Sequence, residues 1–471
     1  MAPDQKPNIQ SQSTVSDEIW AGLALFCCMY YIIGLNSQIL AKIGLPVSST
    51  VLGTFLAIIL FNAVGIFLTR TGLMIAPAVG ISTFIVHFVV SVQHQSLTLF
   101  SWANAMLGCF LAGFLLIVTT ITSDLRTKII EEMPEPVKKG AKAAIGSLLA
   151  SEAFDQYNHF TAKGGGINPS FGFWSVSLAV AAIVGFFALR SFVAPSLLSS
   201  RFDYLKVLLR LEFVLVVAAM SVALHLFQPG YVGSLPQSTE LSWLWWHPSA
   251  IPFYNGSATW ILTIIFVAVI WFIVITDIPG TPNEVLPADL AQKNDGRAVR
   301  LGYINDAIAA FFSPVCGTTP TIYYAENQLL KDFKAFSRIP GYTAVLLFLT
   351  TLIVIVASKP LTGHAISLEW VLPPFAVLPV LLFVGLYIVA ISFTGDSAER
   401  PLLPIRTPEA YFPAAIAVVL TPEIGLEYAF PLSILSYWCA GKREGDYGPS
   451  FVWISWGAAV SLLLEIITRA G

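Results

Sequence analysis

Two acidic side chains lie in long apolar stretches of this chain, each beside residues that break helices. Asp277 follows the apolar run from Trp260 to Thr276 and is itself followed closely by proline and glycine. Glu326 lies in the stretch SPVCGTTPTIYYAEN, where a proline and a glycine precede the acid. A charge inside a membrane span costs about 2.5–3.5 kcal/mol, so such residues mark solute or ion pathways. We therefore predict that Asp277 and Glu326 take part in binding or in ion coupling.

Each acid also has a simpler explanation. Asp277 could end its helix in the cytoplasm, and Glu326 could pair with an arginine as a structural contact. Asp306 lies in the middle of another apolar segment, where it is either a coupling group or a buried hydrogen-bonding partner. The other candidates in apolar segments are Glu152, Asp155, Glu212, His87 and His225. For these, a solvated rim, an interfacial charge or a satisfied core histidine is the simpler interpretation.

The composition is that of a membrane protein. Of the 471 residues, 56% are hydrophobic and 11% are charged, with a mean hydropathy of +0.75, whereas soluble domains carry about 25% charged residues. Apolar stretches long enough to cross a bilayer recur from end to end. They span 19–35, 48–69, 72–93, 100–122, 137–154, 173–195, 208–228, 257–277, 299–315, 318–330, 339–358, 371–394, 410–422 and 424–440. We therefore predict an all-α polytopic protein with about 14 transmembrane segments; a last stretch, 451–468, either crosses the membrane or lies on its surface.

Lysine and arginine are concentrated in every second loop, as the positive-inside rule requires. With the N-terminus in the cytoplasm, the cytoplasmic loops hold the basic residues of 70, 126–139, 201–206, 293–300, 331–338 and 400–406. We expect a multi-pass protein of a bacterial inner membrane, with no signal peptide in its polar first 18 residues. The five cysteines form no CxxC or metal-ligand spacing, so we expect no disulfide, metal or cofactor.

The segments suggest a seven-plus-seven inverted repeat with interrupted segments 3 and 10. LMIAPAVGIST and SPVCGTTPTIYYAEN each interrupt an apolar segment with proline and glycine. Such breaks leave backbone groups without helical partners, which is tolerated only inside protein or beside a watery cavity. We predict that a half-helix restarts after each break, with Thr319 and Pro320 as N-cap and first residue of one, and Ser82 as the cap of the other.

Four motifs, in order and at matching spacing, resemble a known transporter family. MYYIIGLNSQIL is similar to M-x-Y-I-x-x-x-N-P-x-x-L, and MIAPAVGISTF is similar to L-A-P-G-M-G-L-N-A-F-F. TDIPGT and CGTTPTIYYAEN are similar to F-D-T-L-G-T and to G-T-S-T-V-T-T-Y-I-E-S. The chain therefore resembles a divergent member of the type-2 nucleobase:cation symporters (the xanthine/uracil permease superfamily), in the adenine/guanine/hypoxanthine permease branch.

The resemblance implies a core domain of residues 18–125 and 256–358 and a gate domain of residues 137–232 and 368–471. The solute would bind between segments 3, 8 and 10, the core would move against the gate as an elevator, and the gate would form a homodimer. The implied substrate-binding residues are Asp277, Glu326, Ser82, Gly80, Phe84, Gly317, Thr318 and Asn36, with Tyr323 or Tyr324 as further stacking candidates. Asp277, Glu326 and Asp306 are the candidates for coupling to H⁺ or Na⁺. Ser82 stands where the family has an asparagine, and a hydroxyl offers a base edge fewer hydrogen bonds than an amide does.

The leading hypothesis is coupled uptake of a small, planar, nucleobase-like heterocycle, with the lipid bilayer as surroundings and no nucleic-acid partner. A second hypothesis keeps the fold but changes the solute to another small organic molecule or an anion, although two carboxylates oppose an anion. A passive channel and an intramembrane aspartyl-type enzyme are further alternatives. The enzyme hypothesis lacks support, because no GxGD, HExxH or GxSxG motif is present.

Overall fold

The computed structural model describes residues 14–94, 100–123, 132, 134–162, 167–192, 212–228, 255–276, 281–362, 374–394, 413, 415–416, 418–421, 426–439, 452, 455 and 459. Within these residues the chain is mostly helical, as predicted. The first half contains α1 (Val15–Ala41), α2 (Val47–Thr69), α3 (Val79–His94), α4 (Trp102–Ser123), α5 (Glu135–Thr161), α6 (Pro169–Phe192) and α7 (Glu212–Phe227). The second half contains α8 (Ser257–Thr276), α9 (Pro282–Val285), α10 (Ala288–Phe312), α11 (Gln328–Phe333), α12 (Ile339–Thr362), α13 (Pro374–Thr394) and α14 (Leu426–Cys439).

Length and hydropathy identify membrane-crossing helices among the described residues. Five of them, α1, α2, α4, α6 and α12, are long and apolar enough to cross a membrane, and shorter apolar stretches lie in α3, α7, α8 and α13. The helix α10 begins well before the predicted segment 299–315, because its first half, ADLAQKNDGRAVR, is polar and carries no hydropathy signal. Most of the last predicted segment lies outside the described residues.

Two short strands form where proline and glycine interrupt the apolar pattern. β1 (Ile75–Pro77) directly precedes α3, and β2 (Thr321–Tyr323) follows the turn after α10. They pair antiparallel, with Ala76 opposite Ile322. All six strand residues are buried, so the strand pair lies in the interior of the helical protein.

Two asparagine side chains satisfy the backbone beside β1. Asn62 of α2 donates to the carbonyl oxygen of Ile75 at 2.7 Å and accepts from its amide at 2.6 Å. Asn327 does the same for Met74, accepting at 2.9 Å and donating at 2.8 Å. Each amide side chain thus replaces a missing strand neighbour. In a nonpolar interior an unpaired backbone group is costly, so the two asparagines make this irregular stretch tolerable.

The predicted starts of the two half-helices are wrong. Thr319 and Pro320 precede β2, and the chain resumes helical structure only at the 3₁₀ turn Ala325–Asn327, which leads into α11. The β-branched pair Thr321 and Ile322 favours a strand, and β1 supplies its partner. Ser82 lies inside α3, with its hydroxyl oxygen 3.0 Å from the carbonyl oxygen of Ala78, and so it does not cap the helix.

The sequence Thr281-Pro282-Asn283-Glu284 predicts the start of a short helix, with a capping box and with proline at the first helical position. Thr281 is the N-cap of α9 and Pro282 is its first residue. The cap makes no side-chain hydrogen bond, so the proline and the extended backbone of Thr281 define this start.

Buried apolar side chains form two clusters. The larger one spans α1–α4, both strands, α8–α12 and parts of α5, α13 and α14. The smaller one is built from α5, α6, α7 and α13 together with Ile167, and includes Phe160, Ile183 and Phe375. The residues of the smaller cluster therefore come from the sequence ranges 137–232 and 368–471 alone.

Replacing Asn62 tests how much its two hydrogen bonds with the backbone of Ile75, called here the backbone clamp on β1, stabilise the protein. Asn62→Leu leaves the amide and the carbonyl of Ile75 unpaired, so we expect the free energy of unfolding to fall by about 2–4 kcal/mol. Thermal unfolding of the detergent-purified protein measures this change. Val64→Ala is the matched control, because Val64 lies on the same helix and is exposed. Equal unfolding midpoints for the two variants would contradict a clamping role for Asn62.

Candidate functional site

Glu326 lies on the 3₁₀ turn that follows β2, next to the asparagine that clamps Met74. The hydroxyl of Tyr31, on α1, donates to Oε1 of Glu326 at 3.2 Å. The second oxygen, Oε2, is buried and makes no hydrogen bond within the part of the chain that the structure describes. No ion pair between described residues includes Glu326, so within them the acid is held by Tyr31 and not by an arginine. One carboxylate oxygen is therefore left for a partner that the described residues do not supply.

A buried hydrogen-bond network surrounds Asn36 of α1. Its amide nitrogen donates to Thr54 of α2 at 3.1 Å and to Thr318 at 2.8 Å. Its amide oxygen accepts from Ser82 of α3 at 2.5 Å and from Thr319 at 3.4 Å. All five residues have no exposed surface. A side-chain amide offers two donor and two acceptor positions, so these bonds use the full capacity of Asn36.

The network connects the elements that lie around the strand pair. Thr54 and Thr318 also bond each other at 3.0 Å, and Ser82 bonds Thr319 at 2.9 Å. Three of the predicted site residues, Asn36, Ser82 and Thr318, are thus brought together by direct bonds. They join α1, α2 and α3 to the turn before β2. The predicted site residues therefore include a hydrogen-bonded group that holds three helices and one turn in fixed relative positions.

The two predicted glycines and the predicted aromatic lie in the same region. Gly80 is buried in the first turn of α3. Gly317 adopts a φ of 88°, a left-handed conformation that glycine allows at little cost, in the turn before β2. The Phe84 ring is 1% exposed and stacks on Phe266 of α8 at 5.7 Å. Phe84 is thus part of an aromatic cluster between α3 and α8.

The remaining ionisable candidates have different surroundings. Asp277 lies outside the described residues, and so do the side chains of Glu212 and His225. Asp306 has no exposed surface in α10, and His87 of α3 is half-buried. Asp155 is exposed, as a solvated rim requires.

Glu152 does not lie on a solvated rim. Its side chain is 3% exposed and pairs with Lys42, at the end of α1, at 3.1 Å. Gln156 also donates to this carboxylate, at 2.8 Å. The simpler interpretation of Glu152 was wrong because its partner comes from a distant part of the sequence.

Sequence reasoning missed four residues of this region: Tyr31, Asn62, Asn327 and Lys42. The signals were weak. Tyr31 is one of two adjacent tyrosines in MYYII, and Asn62 is a single polar residue in LFNAVGIF. Asn327 adjoins the predicted acid Glu326. No group of three or more His, Cys, Asp or Glu side chains that could hold a metal occurs among the described residues.

Known proteins similar to this chain are permeases. A guanine/hypoxanthine permease of Bacillus subtilis, PbuO, is 32% identical over 141 residues, which are 30% of this chain and 32% of that protein. The guanine/hypoxanthine permease GhxP of Escherichia coli O157:H7 is 25% identical over 415 residues, covering 83% of this chain and 81% of that protein. The chain is similar in sequence to guanine/hypoxanthine permeases. A putative permease of Haemophilus influenzae, 24% identical over 389 residues and 81% of each chain, agrees with this.

These relatives confirm the resemblance that the four motifs predict. They are permeases and not enzymes, in agreement with the expectation for this chain. No family model matches the chain.

Solved structures of similar fold are membrane transporters. The transmembrane domain of a cyanobacterium bicarbonate transporter, BicA, superposes with a TM-score of 0.53 at 14% identity, covering 89% of this chain and 97% of that one. The murine anion transporter Slc26a9, in the inward-facing state, gives a TM-score of 0.52 at 14% identity, covering 98% of this chain and 69% of that one. At this identity the likeness concerns the fold. With the relatives above, it makes this chain an integral, multi-pass membrane transporter.

Gly53 tests how closely α2 must approach the turn before β2. A methyl group at Gly53 would collide with the carbonyl oxygen of Cys316. Gly53→Ala should therefore displace the turn that carries Gly317 and Thr318, and we expect about 2 kcal/mol or more of destabilisation. Gly34→Ala on α1 is the matched control, since a methyl there meets nothing within 4 Å. Thermal unfolding and uptake by reconstituted protein would compare the two, and equal tolerance would refute the close-approach requirement.

Proposed function

We propose that this protein is a secondary active transporter that takes up a nucleobase-like heterocycle together with H⁺ or Na⁺. The observation that carries the proposal is the Glu326 carboxylate, whose Oε1 is held by Tyr31 while Oε2 has no partner among the described residues. A carboxylate oxygen accepts hydrogen bonds from ring N–H or amino groups. The guanine/hypoxanthine permeases similar to this chain support a purine-type solute.

Asp277 is proposed as the second acceptor, because it follows the apolar helix α8 and precedes α9. Gly80 would present its backbone amide to an electronegative edge of the solute, where the lack of a side chain permits close approach. The Gly317 amide donates to the carbonyl oxygen of Pro314 at 3.1 Å, so Gly317 would contribute through the shape of the turn before β2. Asn36, Ser82 and Thr318 would act through the hydrogen-bond network that positions these breaks. Phe84 would shape the site through its ring contact with Phe266, and Tyr324 would offer a further aromatic surface.

Coupling to a cation follows from the cost of a buried carboxylate charge. An ionised carboxylate in a nonpolar site is unfavourable unless a proton, a cation or a hydrogen-bonding solute compensates it. Asp277 and Glu326 are the proposed coupling groups, and Asp306, which is fully buried in α10, is the third. An anion is a less suitable solute, because two carboxylates would repel it.

The transport cycle is proposed to be an elevator movement in a fold of 14 segments with a seven-plus-seven inverted repeat. The core comprises residues 18–125 and 256–358, with interrupted segments 3 and 10, and the gate comprises residues 137–232 and 368–471. The smaller apolar cluster supports this division, because its residues all come from the gate ranges. The gate is also proposed to form a homodimer, with the N-terminus of each copy in the cytoplasm of a bacterium. Phe173, Trp174 and Leu178 of α6 are exposed for contact with lipid or a second copy.

Removing the charge of Glu326 tests the proposed acceptor. We expect Glu326→Gln to lower uptake of radiolabelled hypoxanthine into proteoliposomes by about 10- to 100-fold, the range expected for loss of a hydrogen bond to a charged group. Asp155→Asn is the matched control, because Asp155 is an exposed acid on α5. Wild-type uptake by Glu326→Gln would remove this residue from the site. Uptake of bicarbonate or other anions, with none of purines or pyrimidines, would favour the anion alternative.

The ion pair between Lys42 and Glu152 supports a movement between core and gate. Lys42 belongs to the core range and Glu152 to the gate range, and their side chains meet at 3.1 Å. A displacement of several ångströms would separate them, and Glu152 would keep only the hydrogen bond from Gln156. We propose that this contact closes one face of the transporter and must open in each cycle.

Cross-linking the pair tests this movement. Lys42→Cys and Glu152→Cys, combined with Cys439→Ser to remove an exposed thiol, would be joined by a short bifunctional thiol reagent. We expect hypoxanthine uptake to fall to the level of empty liposomes, because the two helices can no longer separate. Each single cysteine variant treated in the same way controls for modification alone. Undiminished uptake by fully cross-linked protein would exclude separation at this contact.

A further inference from the structure

The hydroxyl groups of two tyrosines line up with Glu326. Tyr31 donates to Oε1 of Glu326 at 3.2 Å, and its oxygen lies 3.4 Å from the hydroxyl oxygen of Tyr324. A phenol has one proton to donate, so while Tyr31 gives its proton to Glu326, Tyr324 is the donor to Tyr31. The three groups then form a short chain of hydrogen bonds running from Tyr324 through Tyr31 to the carboxylate.

The chain of hydrogen bonds gives the two carboxylate oxygens different surroundings. Tyr31 and Tyr324 are both buried, at 6% and 8% exposure, so water does not compete freely for these bonds. Oε1 is occupied by Tyr31, whereas Oε2 has no partner among the described residues. The carboxylate is therefore held on one side by α1. The sequence predicts the solute between segments 3, 8 and 10, and α1 is not one of these segments.

We propose that Tyr31 is a positioning residue of the solute site, holding Oε1 of Glu326 so that Oε2 meets the N–H group of the solute. The proposal rests on the role of Glu326 proposed above. Without the bond from Tyr31, the carboxylate can rotate, and both its orientation and its readiness to accept from the solute change. Tyr31 thus acts on solute affinity through Glu326 and not by its own contact.

The adjacent tyrosine provides a matched control. Tyr30 is also buried on α1, at 7% exposure, but its hydroxyl makes no hydrogen bond with the described residues. Its ring packs against Phe26 and Phe348. Tyr30→Phe therefore removes the same atom from the same helix without touching Glu326.

Binding of hypoxanthine to the purified full-length protein, measured by calorimetry, is the first test. We expect Tyr31→Phe to weaken the affinity by about 5- to 20-fold, as the loss of one hydrogen bond to a charged group implies, and Tyr30→Phe to stay within about twofold. In a Glu326→Gln background, Tyr31→Phe should change the affinity by less than about twofold, since the two residues act as a unit. Equal weakening in both backgrounds would assign Tyr31 a general structural role and overturn the proposal.

Infrared difference spectroscopy tests the contact without any solute. The carboxyl band of Glu326 is the one that disappears in Glu326→Gln. We expect the frequency of this band to change in Tyr31→Phe and to stay the same in Tyr30→Phe, because of these two tyrosines only Tyr31 bonds the carboxylate. An unmoved band in Tyr31→Phe overturns the proposal, whatever the calorimetry gives. A moved band in a protein that binds no purine or pyrimidine supports the positioning of Glu326 by Tyr31 and refutes the proposed solute class instead.

Discussion

The pairing of backbone groups in the two non-helical breaks is the constraint on which the rest of this structure depends. In a nonpolar interior every amide and carbonyl needs a partner, and only helices supply them all locally. β1 and β2 leave helical structure and so must find partners elsewhere. They pair with each other, and Asn62 and Asn327 complete the bonding of β1 with their side chains. The breaks can therefore exist only because distant segments meet at one place.

The same constraint explains the buried polar network. Asn36 and the hydroxyls around it would be unfavourable in an apolar interior if they lacked partners. Each donor and acceptor of Asn36 is used, and the partners come from α2, α3 and the turn before β2. A fully satisfied buried network specifies one arrangement, because any displacement leaves a polar group unpaired. In the proposed elevator movement, a rigid unit of this kind would let the core move without losing the geometry of the solute site.

Glu326 differs from the network because its bonding is incomplete. It lies beside Asn327, whose clamp on Met74 holds the 3₁₀ turn in place, so the position of the acid is well defined. Tyr31 occupies one carboxylate oxygen and the other is without a partner among the described residues. A rigidly held carboxylate with one oxygen that lacks a hydrogen bond is suited to accept a hydrogen bond from an N–H group of a solute. Lys42 and Glu152 form a second, more accessible contact, which joins the end of α1 to α5, a helix of the proposed gate.

The sequence by itself determined the mostly helical, membrane-protein character and the similarity to nucleobase permeases, because hydropathy and motif spacing are local properties. The apolar run ending at Thr276 is the helix α8, and the restart at Thr281 and Pro282 is α9. It did not determine that Thr319 and Pro320 lead into a strand, since a strand needs a partner and β1 is remote in the chain. Nor could it show that Glu152 is buried or that Tyr31 reaches Glu326. Those contacts join side chains far apart in sequence, so only the packing of the helices decided them.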